Sequence, residues 1–237
     1  MVAELTGKYA LVTGGSRGIG RAITLGLARH GATVMACYRT GGEAVESPDK
    51  ELEQIGGDHR LVPADVAEPD AVDELTEECH EHFGALDVVV NNAGVTSRAP
   101  IAQLPLAEWR RVMDTNLTGV FLVTQKALPL MGPGASIVDI GSRSARAGMP
   151  ASSHYTATKA GLVGFTRSLA RSWARAGSGS TWWPPGSSTP ARSRTSPPRR
   201  GPPSRPGPGG CRRWAGAAPP TRWPGRWCSW PATCPRT

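Results

Sequence analysis

Residues 8–20, KYALVTGGSRGIG, place a short apolar run directly before a cluster of glycines, and a helical pattern continues from there to Ala28. An apolar run that ends in glycine is typical of a buried β-strand. Glycines between a strand and a helix let the backbone approach a phosphate, which the free amides and the dipole of the helix N-terminus favour. The gap between Gly14 and Gly18 differs from the commonest dinucleotide fingerprint, so a simple connecting turn is the alternative.

The alternation of strand and helix continues along the chain to about Arg171. Further strands are predicted over 32–39, 59–63, 86–90 and 136–140, with helices over 43–56, 69–82, from 105 onward, and to about 171. This pattern predicts an α/β fold with a doubly wound, Rossmann-like parallel sheet. Ligands bind such sheets at the carboxyl ends of the strands, where Thr13, Asn92 and Ser142 are expected.

The end of the second predicted strand bears on the choice of dinucleotide. In dinucleotide folds an acidic residue there binds the ribose 2′-hydroxyl, whereas a basic residue accommodates a 2′-phosphate. This strand ends at Tyr38 and Arg39 without a carboxylate, and Arg17 is expected on the same side of the pocket. Two guanidinium groups and no acid favour NADPH over NADH. The alternative is that Arg39 is an ordinary surface residue.

A tyrosine and a lysine lie four residues apart in the last predicted helix, at Tyr155 and Lys159. Residues four apart project from one helix face, so the phenol and the ammonium act on the same small volume. A cation beside a phenol favours the phenolate, and a phenol tuned in this way exchanges a proton with a developing alkoxide near neutral pH. Such pairs also occur on many solvated helices, so the pair indicates a function only together with the other motifs.

Over residues 5–171 these features together resemble the short-chain dehydrogenase/reductases, and among them the 3-oxoacyl-(acyl carrier protein) reductase type. The likeness depends on the order and spacing of Thr13-Gly14 with Gly18 and Gly20, Asp65, Asn91-Asn92-Ala93-Gly94, Asn116, Ser142, and Tyr155 with Lys159.

The resemblance implies four catalytic residues. Tyr155 would be the general acid toward a ketone oxygen, and Ser142 would hydrogen-bond the same oxygen. Lys159 would hold the nicotinamide ribose and favour the phenolate, while Asn116 would anchor a water that relays protons to Lys159. Hydride transfer is the cofactor's chemistry, and the protein supplies position and the proton. The implied substrate is a small or carrier-bound ketone, such as a 3-oxoacyl thioester, which is reduced to the alcohol.

The resemblance also implies a binding site for NADPH, with NADH disfavoured. The glycine-rich turn would cradle the pyrophosphate, Asp65 and Val66 would border the adenine, and residues 92–94 would border the ribose. The implied cofactor-binding residues are Gly14, Ser16, Arg17, Gly18, Ile19, Gly20, Tyr38, Arg39, Asp65, Val66, Asn92, Ala93, Gly94, Tyr155 and Lys159.

The formal charge of +8 belongs to the end of the chain. Residues 172–237 contain 11 Arg and no Lys, Asp or Glu, so residues 1–171 hold 16 basic and 19 acidic side chains, a net charge of −3. The predicted domain therefore gives no electrostatic sign of a nucleic-acid partner. No apolar run is long enough for a bilayer and the N-terminus lacks a signal pattern, which predicts a cytoplasmic protein without a membrane contact.

The five cysteines show neither a disulfide framework nor paired metal-ligand spacing, so no metal site is predicted. Members of the family often assemble as homo-oligomers, which predicts the same for an intact member; for this chain the oligomeric state is open.

Residues 172–237 use only eight residue types, namely Ser, Trp, Ala, Arg, Gly, Thr, Pro and Cys. Such a composition without aliphatic residues forms a packed core with difficulty, which predicts a disordered or misfolded tail. One interpretation is a basic, Trp-rich segment that binds nucleic acid.

The genetic code favours another origin for the tail. All eight residue types have codons with G or C in the middle, the vocabulary that a GC-rich gene gives when it is read one base late. Shifted back, Trp182-Trp183-Pro184 becomes Val-Val-Ala, and residues 172–189 become a sequence that resembles the family's next strand and its Pro-Gly turn. We therefore interpret residues 172–237 as out-of-frame translation, in the gene or in its determined sequence, that follows an incomplete catalytic domain, 1–171.

Two functions follow from this organisation. The first is an NADPH-dependent ketoreductase. The second is an inactive or nucleotide-binding-only fragment, because the out-of-frame tail is expected to lack the strand after Arg171, the cofactor-contacting turn, the substrate-covering helices and one subunit interface.

Overall fold

The computed structural model describes residues 4–173 and 179–183, which belong to one unit of the chain, Met1–Thr195. The strands of the described residues are β1 (Tyr9–Thr13), β2 (Thr33–Tyr38), β3 (Arg60–Pro63), β4 (Leu86–Asn91), β5 (Met131–Ile140) and β6 (Gly179–Trp183). The helices are α1 (Gly18–Arg29), α2 (Glu43–Ile55), α3 (Pro69–Phe83), α4 (Leu106–Met113), α5 (Gly119–Ala127), α6 (Ser144–Ala147) and α7 (Ser153–Trp173).

The six described strands form one parallel sheet in the order β3-β2-β1-β4-β5-β6. The chain builds outward from β1 in one direction as far as β3, then returns to the other side of β1 with β4. This reversal is the topological switch point of a doubly wound fold, and it opens a crevice between the carboxyl ends of β1 and β4. The predicted Rossmann-like architecture is confirmed.

Side chains of the central strand reach two separate cores because neighbouring residues of a strand face opposite sides. Leu11 packs in one cluster with Met35, Val89 and Ile137, while Ala10 belongs to the other. All five side chains are fully buried. Helices therefore cover both faces of the sheet, as continuous apolar strands require.

Strand β6 corrects one prediction. The chain was expected to lack a strand after Arg171, yet Gly179–Trp183 pairs in parallel with residues 136–140 of β5. The ladder is made by backbone groups, which every residue except proline supplies, and Thr and Trp both favour extended backbone. The remainder of the predicted tail, 174–178 and 184–237, lies outside the described residues.

The predicted helix from residue 105 onward contains a wider turn. Helix α4 continues through a π-helical turn, Asp114–Thr118, directly into α5. Such turns insert one residue into the helical hydrogen-bond pattern and often occur at functional sites. Asn116 lies in this turn and is fully buried.

Candidate active site

A cleft of about 410 Å³ opens at the carboxyl ends of β1, β2, β4 and β5. Fourteen of the predicted site residues line it, namely Gly14, Ser16, Arg17, Ile19, Gly20, Tyr38, Arg39, Asp65, Val66, Asn92, Ala93, Gly94, Tyr155 and Lys159. Gly18, Asn116 and Ser142 are not among the residues that line the cleft. The fold thus brings residues from both halves of the sheet to one cavity.

Thr13 and Asn92 join the ends of β1 and β4 at the base of the cleft. The Thr13 hydroxyl oxygen accepts hydrogen bonds from the backbone N–H groups of Asn92 and Ala93, each at 3.0 Å. In return, Asn92 Nδ2 donates to the carbonyl oxygens of Thr13 at 3.0 Å and Gly14 at 2.9 Å. The amide that was expected to border a ribose therefore also holds the glycine-rich turn against β4.

Within the glycine-rich turn, Gly14–Gly20, positions 14 and 20 require glycine for different reasons. Gly14 has φ of 63°, in the left-handed region that side chains disfavour. A Cβ atom at Gly20 would overlap the Gly14 carbonyl oxygen and Asn92 Nδ2. The absence of both side chains leaves the backbone open to the cleft.

The start of α1 fits the phosphates of a dinucleotide. Arg17, at the N-cap position, makes no side-chain hydrogen bond to the first turn, and that turn contains no acidic residue. Its N–H groups and the positive end of the helix dipole are thus available to an anion. Together with the uncrowded glycines, this donor set fits a pyrophosphate.

Two arginines line the cleft near the carboxyl ends of β1 and β2, the part that we call its outer end. Arg17 and Arg39 both line it and are both exposed. Arg39 Nη1 is 3.9 Å from Asp65 Oδ2, and Asp65 Oδ1 accepts a hydrogen bond from the Ala67 N–H at 3.0 Å. The Asp65 carboxylate is therefore fixed by the backbone, and its contact with the Arg39 guanidinium is a loose, solvent-exposed ion pair.

Asn116 ties the π-helical turn to the segment that follows β4. Its Oδ1 accepts from the Val95 N–H at 2.7 Å, and its Nδ2 donates to the Val95 carbonyl at 2.8 Å and to Thr158 Oγ1 at 3.3 Å. Val95 lies beyond the end of β4, so the Asn116 amide satisfies the backbone N–H and carbonyl groups that a neighbouring strand would otherwise bond. The amide thus positions the wall of the cleft, and the predicted role in anchoring a water stays a prediction.

Tyr155 and Lys159 both face the cleft, and Lys159 Nζ lies 5.9 Å from the centroid of the Tyr155 ring. The lysine is only 5% exposed, and its Nζ donates to the Ile140 carbonyl at 2.7 Å. Burial lowers the pKa of Lys159 to about 8, and the nearby Asp139 carboxylate acts in the opposite direction. The two predicted residues are therefore adjacent, as their helical spacing requires.

The Ser142 hydroxyl has local partners. Its Oγ accepts hydrogen bonds from the Ser144 N–H at 3.2 Å and from Ser144 Oγ at 2.9 Å. Both bonds come from the first turn of α6, so they stabilise the short helix that follows β5. Because the Ser142 hydroxyl donates in neither bond, its own proton is available to an acceptor.

Several residues that line the cleft were not predicted from the sequence: Cys37, Thr40, Gly41, Ala64, Val95, Thr96, Thr115, Ile140 and Gly141. Most lie one or two positions from a predicted residue at a strand end, and that proximity was the available signal. Cys37 is an example, since it precedes Tyr38 on β2. It is 1% exposed, and burial raises the pKa of its thiol to about 11. The Cys37 side chain is therefore an uncharged part of the cleft wall.

Residues 8–187 match the family profile of the short chain dehydrogenases, and the match extends past Arg171 through β6. The 3-oxoacyl-[acyl-carrier-protein] reductase of Staphylococcus aureus strain N315 is 42% identical over 172 residues, which are 72% of this chain and 70% of that protein. The 3-oxoacyl-[acyl-carrier-protein] reductase of Synechocystis is 41% identical over 178 residues, 74% of this chain and 72% of that protein.

Solved structures agree with this relationship. A short chain dehydrogenase from Burkholderia cenocepacia in complex with NADP superposes with a TM-score of 0.71 at 38% identity, over 74% of this chain and 72% of that chain. A blue fluorescent protein from a metagenomic library in complex with NADPH gives the same TM-score, identity and coverage. In the part of the chain that the structure describes, no helix has the length and apolar character needed to cross a membrane. The chain belongs to the short-chain dehydrogenase family and is an oxidoreductase that acts on a carbonyl or hydroxyl group.

Proposed function

We propose that this oxidoreductase uses NADPH to reduce a 3-oxoacyl thioester, or a related ketone, to the alcohol. The two reductases from Staphylococcus aureus and Synechocystis support the substrate class, since each carries the name of a 3-oxoacyl-[acyl-carrier-protein] reductase. The observation that carries the proposal is the position of Tyr155 and Lys159 in the same cleft as the glycine-rich turn. A proton donor beside a dinucleotide site is what carbonyl reduction requires.

The choice of NADPH is supported by charge at the outer end of the cleft. Arg17 and Arg39 are exposed there, and strand β2 ends without a carboxylate. A ribose 2′-phosphate would be held by these guanidinium groups through charge-assisted hydrogen bonds. Structures of relatives in complex with NADP and NADPH agree with this choice.

In the proposed reaction, bound NADPH supplies hydride to the ketone carbon, and all other steps belong to side chains of this chain. Tyr155 donates its hydroxyl proton to the ketone oxygen as charge develops there. The Lys159 ammonium, buried 5.9 Å from the ring, stabilises the phenolate that remains on Tyr155. Ser142 contributes the hydroxyl proton that its bonds to Ser144 leave free, as a second donor to the same oxygen.

Nucleotide binding without turnover is the second candidate function. It is favoured by the position of Ser142, which is not among the residues that line the cleft. It is also favoured by the unusual composition of residues 172–237, which contain no Leu, Ile, Val, Phe or Met.

The test is an NADPH oxidation assay on the 237-residue chain with a 3-oxoacyl thioester, beside a Tyr155→Phe variant and beside NADPH binding measured by calorimetry. Reduction is expected for the unaltered chain, with a loss of about 10²-fold to 10⁴-fold in Tyr155→Phe. Calorimetry is expected to show that the variant still binds NADPH, because it retains the ring and every other residue of the cleft. Full activity in Tyr155→Phe contradicts the proposed mechanism.

NADPH binding without oxidation identifies the second candidate function for the chain as it stands. A comparator with the reading frame restored after Arg171 then distinguishes the two sources of inactivity. Activity in that comparator alone attributes the defect to the tail, whereas inactivity in both contradicts the assigned substrate class.

A further inference from the structure

One wall of the cleft is neither helix nor strand. Residues 92–100 lie between β4 and a single 3₁₀ turn, Ile101–Gln103. Val95 and Thr96 from this stretch line the cleft. A stretch without helical or strand pairing is held only by individual hydrogen bonds, and Asn116 supplies them at Val95. We call residues 95–99 the wall segment.

The wall segment is bonded to the entry of α7, which we define as residues 151–154. The Ala99 N–H donates to the Ala151 carbonyl at 2.7 Å, and Ser152 Oγ donates to the Ser97 carbonyl at 2.9 Å. Ser97 Oγ lies 2.8 Å from His154 Nε2. Two of these three contacts use side chains of the α7 entry, so the position of the wall depends on which residues stand there.

The backbone of the α7 entry is strained where it meets the wall. Ala151 has φ of 56°, in the left-handed region that residues with a side chain disfavour. In this conformation its carbonyl accepts from the Ala99 N–H. Strain of this kind persists only where the surroundings fix it, and it often occurs at functional sites. The contact between the wall segment and the α7 entry is therefore part of a fixed arrangement.

His154 is enclosed in this contact. It is 0% exposed, and Ser97 Oγ is the hydrogen-bond partner of its ring among the described residues, since Nδ1 has none there. A buried ring nitrogen without a partner costs free energy that an apolar ring of similar size would avoid. The feature that a histidine adds at this position is therefore the contact with Ser97.

The Ser97 hydroxyl has a second neighbour in Glu108 on α4. A hydrogen bond from Arg111 and, after it, one from Ser97 lower the pKa of Glu108 to about 2. A serine oxygen accepts a hydrogen bond while its own proton is donated elsewhere. The N–H at His154 Nε2 can therefore donate to Ser97 while Ser97 donates to Glu108, and the contact at His154 needs no share of the serine proton.

His154 and Tyr155 are neighbours in the first turn of α7. Successive residues of a helix project about 100° apart, because one turn takes about 3.6 residues. The two side chains accordingly have different surroundings, since Tyr155 lines the cleft and His154 is enclosed beside Ser97. One helical turn thus carries both the proposed proton donor and an anchor of the wall.

We propose that His154 is a positioning residue: through Ser97 it holds the wall segment in a fixed place beside Tyr155. The inference rests on the proposed function, in which a ketone lies between this wall and the Tyr155 hydroxyl. His154 is not among the residues that line the cleft, so it acts through Ser97 and not on the substrate itself.

Amide hydrogen exchange tests the anchoring without any substrate. The Ala99 N–H is the reporter, because it is the wall amide that is bonded to the α7 entry. In Ser97→Ala, and in His154→Phe, which keeps a buried ring, NMR is expected to show exchange of this amide about 10-fold faster or more. Amides of β4 are expected to keep their rates. An unchanged Ala99 rate in both variants overturns the proposal.

Thr76→Val is the matched control, since it removes a buried hydroxyl that donates to the Val72 carbonyl at 3.0 Å on α3. It is expected to leave the Ala99 rate unchanged. Ser97 is only partly buried, so Ser97→Ala carries the test where His154→Phe does not fold. Equal acceleration at Ala99 and throughout β4 would indicate a general loss of stability and would also overturn the proposal.

In a chain that reduces ketones, both variants are expected to lower kcat about 10-fold, because a displaced wall misplaces the ketone relative to Tyr155. NADPH binding measured by calorimetry is expected to be unchanged, since the glycine-rich turn makes none of these contacts. A purely structural role predicts a lower Tm with unchanged kcat, and that result in both variants contradicts the inference.

Two further variants show whether the effect runs through the contact of Ser97 with His154. The double variant of Ser97→Ala and His154→Phe is expected to lose no more activity than the weaker single variant, because both changes remove the same contact. His154→Gln, whose amide can still bond to Ser97, is expected to restore part of kcat. Losses that multiply in the double variant would contradict action through this contact.

The exchange rates and the assay separate this inference from the proposed function. Faster exchange at Ala99 in a chain that reduces no ketone keeps the anchoring of the wall and contradicts the proposed function. Ketone reduction by a chain whose Ala99 rate is the same in both variants has the reverse meaning.

Discussion

The two ends of the cleft differ in how they hold their charged groups. At the outer end Arg17 and Arg39 are exposed, and Arg39 Nη1 lies 3.9 Å from Oδ2 of the Asp65 carboxylate. At the inner end, beside the carboxyl end of β5, Lys159 lines the cleft and is only 5% exposed. Both ends present positive charge to the cleft, yet only the inner end takes that charge out of water.

The exposed arginines are suited to recognise the cofactor, whereas the buried lysine is suited to take part in the proton transfer. Exposed guanidinium groups are solvated in the absence of a ligand, so each contributes modestly and its removal is tolerated. A buried ammonium depends on fixed protein partners instead: burial lowers the pKa of Lys159 to about 8, and its Nζ donates to the Ile140 carbonyl. We therefore expect substitutions at the inner end to have large and coupled effects, and substitutions at the outer end to have small and independent ones.

The largest effect is expected for Lys159→Met. This variant keeps the volume of the side chain and removes the ammonium that lies 5.9 Å from the centroid of the Tyr155 ring. We expect kcat/KM for ketone reduction to fall about 10³-fold, within the range of acid–base contributions. Lys126→Met is the control, because Lys126 is exposed and pairs with Asp73 at 2.6 Å on the surface. Comparable losses in both variants would remove the distinction between the inner end and the surface.

The next largest effect is expected for Gly20→Ala in the glycine-rich turn. The added Cβ would overlap the Gly14 carbonyl and Asn92 Nδ2, so the turn has to move away from β4. Calorimetry is expected to show NADPH binding weakened about 100-fold, the cost of about 2.7 kcal/mol in binding free energy. Gly26→Ala on the same helix is the control, since its Cβ would meet no atom within 4 Å and alanine favours helix. Unchanged binding in Gly20→Ala would show that the turn does not hold the cofactor.

A smaller effect is expected for Arg39→Ala at the outer end. Loss of one exposed guanidinium weakens NADPH binding about 10-fold and leaves NADH binding unchanged, because only NADPH has a 2′-phosphate. Parallel calorimetric titrations of both cofactors measure the ratio. Arg29→Ala serves as the control, since Arg29 is exposed and lies 3.6 Å from Glu51. Equal weakening of both cofactors would assign Arg39 a structural role and remove the basis for NADPH preference.

The sequence predicted the parts of the molecule that depend on local pattern. Apolar runs and glycines located strands β1 to β5, and their ends located most of the residues that line the cleft. The spacing of Tyr155 and Lys159 predicted their adjacency, because four residues make about one helical turn.

The parts that were missed depend on contacts between distant segments. The sequence did not single out Asp139, whose partners Asn91 and Thr166 come from β4 and α7. The π-helical turn at Asn116 arises where that side chain pairs with Val95, 21 residues earlier. Strand β6 was missed because the composition of residues 172–237 predicts how side chains pack. The hydrogen bonds between β6 and β5 are instead made by the backbone. The domain boundary at Arg171 and the out-of-frame origin of residues 172–237 stay predictions.

The most direct test of the account follows a label from cofactor to product. The 237-residue chain is incubated with NADPH that carries deuterium at both hydrogen positions of the reactive nicotinamide carbon and with a 3-oxoacyl thioester. The product is analysed by mass spectrometry. The proposed reaction gives a 3-hydroxyacyl thioester with one deuterium on the carbinol carbon, and Tyr155→Phe is expected to form it far more slowly. Labelled alcohol at equal rates in both proteins, or bound NADPH that transfers no deuterium to the ketone in either, would contradict it.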